Sequence, residues 1–284
     1  ERWMKRMKMT EKKMEAFKCW LVEEEKSRAT VEKYRRDIRK FYEFLPEDKE
    51  INRERVLLYK SSLLPRYQVS SANSILMAVN SFLSFCGLGE LKVKAYKFQR
   101  PLVADPAREL NRDEYLRLLE TAERMGKYRL YLILQTLCST GIRISELSCI
   151  TREAVQTGRC VVRLKGKSRI VIIPQKLRER LDAYCKEENI QSGQVFLSRK
   201  GQPLDRSNIW GEMKRLCRTA EVDERKVFPH NLRHLFARTY YKKNHDIVYL
   251  ADILGHSSVD TTRIYTSISI KEHEKVLEDM ELTF

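Results

Sequence analysis

Between Gly87 and Asn111 the regular spacing of apolar residues fades, and this break constrains the fold more than any other feature of the chain. The stretch LKVKAYKFQRPLVADPAREL carries Pro101, Pro106 and a basic run, which is the composition of a linker. With 284 residues, the chain has enough on either side of it for two modest domains, each with its own core. The division is therefore a domain over residues 1–98, a linker over 99–110 and a second domain over 111–284.

On the amino-terminal side the apolar period is helical throughout. Thr10 caps a helix to about Glu25 with Met14, Phe17, Trp20 and Leu21 as its stripe. A second helix, Thr30 to Leu45, buries Tyr34, Ile38 and Phe41 and stops at Pro46; a third lies between Asn52 and Pro65. The fourth opens near Ser70, carries Ile75, Val79, Phe82 and Phe85, and ends at Gly87. Residues 1–9, basic and without a cap, read as a frayed start, and no strand pattern interrupts the four helices.

The second domain reads differently. Asn111 and Glu114 form a capping box for a helix to Arg124, and an apolar helix spans Leu130 to Ser139. Residues 159–174 alternate as two strands around Gly166, and helices follow over about Lys176 to Glu188 and Asp205 to Ala220. A further helix fits FPHNLRHLFARTYYKK. The fold class is mainly α with a small β-sheet.

Charge and cysteine content narrow the function. Lys and Arg number 55 against 39 Asp and Glu, a net charge of +16 that points to nucleic acid as the partner. Residues 1–100 hold 23 basic and 14 acidic side chains, and the remaining stretch holds 32 and 25, so the shorter part is the denser in positive charge. Seven cysteines stand singly with no C-x-x-C, as expected of reduced thiols in a cytoplasmic protein and not of a zinc site. No apolar run approaches the ~20 residues that cross a bilayer.

Several polar residues then call for a reason. Arg143 lies within the apolar stretch LILQTLCSTGIRISELSCI, where a guanidinium is costly unless paired or serving an anion; Glu146 is its nearest partner. HNLRH sets His230 and Arg233 on one helix face, and LGHSSVDTTRIY sets His256 nine residues before Tyr265. Guanidiniums that grip phosphate, imidazoles that move protons and a phenol that can act as nucleophile together suit attack on a phosphodiester. His230 and His234 have the spacing of a zinc motif, but Asn231 stands where its glutamate belongs and Arg233 opposes a cation. Surface candidates for phosphate are Lys33, Arg36, Arg39 and Lys40 on the second helix, and Ser70 and Asn73 at the start of the fourth. Lys97 and Arg100 in the linker and Arg199 and Lys200 in a later turn join them.

These boxes resemble those of the tyrosine recombinases, the phage-integrase superfamily. T-G-x-R-x-x-E-L covers Arg143 and Glu146, H-x-x-R covers His230 and Arg233, and L-G-H with the tyrosine covers His256 and Tyr265, all in the family's order. The SxxTVxxYxxDIxxFxxFL pattern from Ser27 to Leu45 is similar to that family's core-binding domain. The resemblance implies a four-helix, SAM-like DNA-binding domain ahead of a catalytic domain. It implies strand transfer through a 3′-phosphotyrosyl link with no metal, ATP or other cofactor, and a hairpin lysine as general acid. Lys165 is the match by position, with Lys167 as its rival. Double-stranded DNA with inverted core half-sites, and a ring of four subunits joined through the carboxyl-terminal tail, follow from the same resemblance. A type IB topoisomerase-like relaxing enzyme and a non-catalytic DNA-binding regulator are the alternatives.

Overall fold

Side-chain caps set where the helices of the first unit begin. Thr10 accepts the Lys13 amide and starts α1 (Glu11–Glu23); Ser27 accepts that of Thr30 and starts α2 (Arg28–Phe44). Asn52 does the same for α3 (Arg53–Leu63), whereas α4 (Val69–Phe85) follows Gln68 without a side-chain cap. The computed structural model describes residues 7–97, 106–164, 167–198, 201–256 and 258–262, and divides into two compact units, residues 1–100 and 101–284.

In the first unit α4 buries Ile75, Leu76, Val79, Phe82 and Leu83 at the centre of the core. Phe17 packs edge-on to Phe82 at 5.2 Å, and Phe41 tilts against Tyr59 at 4.9 Å. The expected frayed, strandless start is corrected for residues 7–9, residues 1–6 lying outside the described residues: β1 (Met7–Lys8) pairs antiparallel with β2 (Glu50–Ile51), with Met7 opposite Ile51. The physical reason is Met9, 1% exposed, whose burial draws in the segment while its amide donates to the Lys49 carbonyl at 2.7 Å.

The second unit is built on α6 (Tyr128–Thr140), which is buried on nearly every side, with α5 (Arg112–Arg124) beside it. The capping box is present in both directions: the Glu114 amide donates to Asn111, and the Asn111 amide donates to Glu114. After α6 come a 3₁₀ segment (Ile144–Cys149), α7 (Arg152–Thr157) and the hairpin of β3 (Arg159–Leu164) and β4 (Lys167–Ile172), paired from Arg159 opposite Ile172 to Leu164 opposite Lys167. Cys160, Val162 and Val171 face the core, leaving Val161, Ile170 and Ile172 exposed on the other face. Then follow α8 (Gln175–Glu187), α9 (Arg206–Thr219), α10 (Pro229–Asn244) and α11 (Ile247–Leu254). No described helix is long and apolar enough to cross a membrane. The fold is mainly helical with two small two-stranded sheets among the described residues.

Candidate active site

Arg233 lies at the base of the site. It projects from α10, which opens with Pro229 at its first position, and is 1% exposed. Its guanidinium donates to the carbonyls of Gly141 and Leu254, each at 2.6 Å, and contacts His256 Nε2 at 3.0 Å. Those carbonyls mark the ends of α6 and α11. Gly141 follows α6 at φ +65°, where a Cβ would collide with the Phe236 ring. Gly255 follows α11 at φ +63°, where a Cβ would meet Arg169 Cδ at 2.9 Å. Each glycine ends its helix tightly enough for the last carbonyls to turn toward one guanidinium.

An arginine only donates, so His256 Nε2 accepts and the ring proton sits on Nδ1, 2.8 Å from Thr262 Oγ1. Thr262 is fully buried. Burial first, then the positive fields of Arg233 and Arg143, hold the His256 pKa down to about 4, so the ring is neutral at pH 7.

His230 opens toward solvent at the start of α10, its ring 4.4 Å from that of His234. Loss of hydration on its inner side lowers its pKa, and Arg233 and then Arg143 add to the effect. His234 is lowered to about 4, by burial ahead of its charged neighbours. Asn231 anchors this turn, donating from its amide to the carbonyls of Arg108 at 2.8 Å and Lys226 at 2.7 Å. It is a clamp, which accounts for the residue standing where a zinc motif would need glutamate. Among the described residues no group of three or more His, Cys, Asp or Glu could hold a metal ion.

Arg143 reaches the same pocket from the turn after α6. Glu146 accepts both its amide (2.8 Å) and its guanidinium (2.9 Å). The other partner of Glu146 is one that sequence reasoning missed. Arg169 on β4 donates to both Glu146 oxygens at 3.1 and 2.7 Å, and from Nε to the Ile253 carbonyl at 3.0 Å. Burial alone would raise the Glu146 carboxyl, but the bonds from Arg169 and Arg143 outweigh it and bring the pKa to about 2. Arg169 thereby ties the hairpin to the Arg143 turn and to the end of α11. The signal was available: an arginine in the apolar run RIVIIP calls for the reasoning applied to Arg143.

Arg143, His230, Arg233 and His256 therefore meet in one positively charged pocket. Lys165, Tyr265, Arg100, Arg199, Lys200 and the carboxyl-terminal tail lie outside the described residues, and Lys167 opens β4. In the first unit, Arg36 is exposed, Arg39 pairs with Glu11, and Lys40 donates to the Tyr67 hydroxyl at 3.2 Å. Lys33 is bound to Asp37 at 2.5 Å and to the Ser74 carbonyl at 3.2 Å. Asn73 has both ends of its amide committed to the Tyr96 backbone, at 2.9 and 2.7 Å, while Ser70 and Lys97 are exposed.

A pocket of two guanidiniums and neutral imidazoles suits a phosphate diester. The chain is 30% identical over 277 residues to tyrosine recombinase XerD of Staphylococcus haemolyticus, covering 90% of this chain and 93% of that one. It is 29% identical over 279 residues to tyrosine recombinase XerA of Thermococcus kodakarensis, covering 95% of each. Two crystal structures of lambda integrase, both 20% identical, share the fold. A dimer bound to a COC′ core site has a TM-score of 0.71 over 90% of this chain and 94% of that one. A tetramer bound to a Holliday junction has a TM-score of 0.70 over 93% and 78%. Residues 108–272 match the phage integrase family, and the chain belongs to that family, the tyrosine recombinases.

Proposed function

We propose that this chain is a site-specific DNA recombinase that cuts and rejoins DNA in the cytoplasm, with Tyr265 as the nucleophile. The convergence of Arg143, Arg233, His230 and His256 carries the reading, because it supplies donors where negative charge develops on a phosphodiester under attack. A phenol titrates near ~10, so Tyr265 requires either removal of its proton or a strongly stabilised product of attack. His230, neutral and exposed at the rim, accepts that proton. Arg143, oriented by Glu146, and Arg233, oriented by Gly141 and Leu254, hold the non-bridging oxygens. His256 accepts from Arg233 in the free protein. An arriving phosphate brings the negative charge that raises the imidazole pKa, so the ring gains a proton on Nε2 and donates to the phosphate.

Lys165, with Lys167 as the alternative, protonates the departing 5′-oxygen. The 3′-phosphotyrosyl ester then keeps the energy of the broken bond, and rejoining needs no ATP. Exposed Arg36, Ser70 and Lys97, with Lys40, Arg100, Arg199 and Lys200, contact phosphates of the duplex. Inverted core half-sites bring two copies to each duplex. The tail SISIKEHEKVLEDMELTF docks on a neighbouring copy, building a ring of four on two duplexes; the lambda integrase tetramer bound to a Holliday junction supports the number four.

The test uses a nicked half-site duplex from which the 5′ fragment diffuses away after cleavage, trapping protein on DNA. Wild type should give a covalent adduct, and Tyr265→Phe should bind equally well and give none. An undiminished adduct in that variant places the nucleophile elsewhere. Two marked duplexes that exchange arms distinguish recombination from simple relaxation, and truncation after Ser269 should abolish exchange while sparing adduct formation.

A further inference from the structure

Directly behind the Glu146–Arg169 pair lie two thiols that the strand-transfer reaction does not use. Cys149 ends the 3₁₀ segment that carries Glu146, and Cys160 sits on β3, opposite Val171. Their sulfurs are 3.1 Å apart, and both are free thiols. No other cysteine pair is in sulfur–sulfur contact among the described residues. We propose that Cys149 and Cys160 form a peroxide-sensitive dithiol whose closure to a disulfide staples the lysine-bearing hairpin to the Arg143 turn and slows DNA cleavage.

The geometry needs little change, since a disulfide closes at about 2.05 Å and the sulfurs must approach by roughly 1 Å. Cys149 donates its S–H toward Cys160, and Arg169 lies close enough to favour a Cys160 thiolate, so the Cys160 pKa is lowered while that of Cys149 is raised. Cys160 is 7% exposed and Cys149 half-buried, which admits an oxidant as small as hydrogen peroxide and disfavours a bulky disulfide. The Cys160 thiolate attacks one peroxide oxygen, the O–O bond breaks, and hydroxide departs, leaving a sulfenic acid. Cys149 sulfur then attacks that sulfur; its proton and the released hydroxyl leave as water. Two thiols are oxidised by two electrons in all, and one peroxide is reduced to two waters.

The consequence follows from where the two cysteines sit. Cys149 is three residues from Glu146, and Cys160 lies on the strand leading to Lys165. A bond between them restricts the hairpin and shifts the turn that orients Arg143 by a distance that matters, since about 1 Å of misplacement costs on the order of a hundredfold in rate. In a reducing cytoplasm the pair is open by default and closes only under oxidative load.

This inference rests on the recombinase reading for its effect on cleavage but not for the bond itself. The full chain, reduced and then treated with hydrogen peroxide, is digested without reductant, and in parallel assayed on the nicked half-site. The expected result is a linked peptide joining Cys149 to Cys160, with adduct formation slowed at least tenfold and restored by dithiothreitol. Cys149→Ser and Cys160→Ser should each form adduct at the reduced wild-type rate and lose the peroxide response; two variants are used so that one that folds poorly does not decide the matter. Absence of the linked peptide overturns the proposal, as does a linked peptide with an unchanged adduct rate. If reduced wild type forms no adduct at all, the recombinase reading fails, while the peptide map still decides whether the dithiol exists.

Discussion

Both units are rich in arginine, yet they place it in opposite ways. In the first unit Arg35, Arg36 and Arg39 stay on the surface of α2, and the core is apolar apart from Asp37, which Lys33 neutralises. In the second unit Arg233 is 1% exposed, and the Arg169 side chain is 11% exposed against a Glu146 that is almost wholly covered. Taking such charges out of water costs several kcal/mol per ion, and well-packed apolar residues would hold the same space at least as well. The first unit is therefore stabilised by its core and uses charge on its surface, whereas the second gives up stability to hold charge in a fixed place. That is the pattern expected of a scaffold for binding and a scaffold for chemistry.

The sharpest way to break this contrast is Arg233→Ala. It leaves the carbonyls of Gly141 and Leu254 buried without their donor, at about 1–3 kcal/mol each, and removes the phosphate clamp proposed above. Denaturant unfolding should show the second unit destabilised, and no adduct should form on the half-site. Arg233→Lys should recover much of the stability and little of the cleavage, since an ammonium lacks the planar fork. An Arg233→Ala protein that cleaves normally would remove the distinction between the units.

Glu146→Gln comes next. The Glu146 pKa falls from 4.5 to about 2 on folding, so its ionised form adds stability above pH 4.5, and that stability is lost as pH falls through 2. At about 1.36 kcal/mol per pKa unit the effect is on the order of 3 kcal/mol, and Glu146→Gln should flatten this part of the stability–pH curve. A separate, higher step belongs to His234 and His256, whose pKa values drop from 6.5 to about 4. Their neutral rings favour the fold fully above pH 6.5, and that contribution is lost as pH falls through 4. His234→Gln should remove part of this upper step and leave the lower one.

How much of this was legible in the sequence depends on whether the signal was local. Caps such as Thr10, Asn52 and the Asn111–Glu114 box mark helix starts because a cap acts within four residues. Arg143 stood out because a charge in an apolar run is conspicuous, and His230, Arg233 and His256 because imidazoles and a guanidinium recur at short spacing ahead of a tyrosine. The role of Arg169 was hidden because its partners, Glu146 and the Ile253 carbonyl, are 23 and 84 residues away. The same holds for β1: nothing near Met7 announces that it pairs with Ile51, since a two-residue strand carries almost no period of its own. The helix α11 was missed although Asp246 caps it and Gly255 ends it, because DIVYLADIL is too short for its period to stand out.

A smaller effect is expected at the glycines, where one pair of positions separates backbone from packing. Gly141→Ala and Gly126→Ala both place alanine at a positive φ, +65° and +63°, but only the first crowds a neighbour, the Phe236 ring. Gly126→Ala should cost about 1 kcal/mol, and Gly141→Ala about 1–2 kcal/mol more, with a lower adduct yield because its carbonyl receives Arg233. Equal costs, measured by denaturant unfolding, would mean that Phe236 yields freely.

The smallest change in stability is expected on α2, where the contrast between the units can be tested from its other side. Arg39 pairs with Glu11 across an exposed surface, and such pairs contribute little to folding. Arg39→Ala should therefore leave the unfolding midpoint where it is, and Arg36→Ala should do the same. DNA binding should nevertheless respond to Arg36→Ala. Each lost phosphate contact lowers the slope of log affinity against log salt by about one, uniformly across sequences. A variant that unfolds early would show that surface arginine supports the first unit after all; one that keeps the full salt slope would move the duplex off this face of α2.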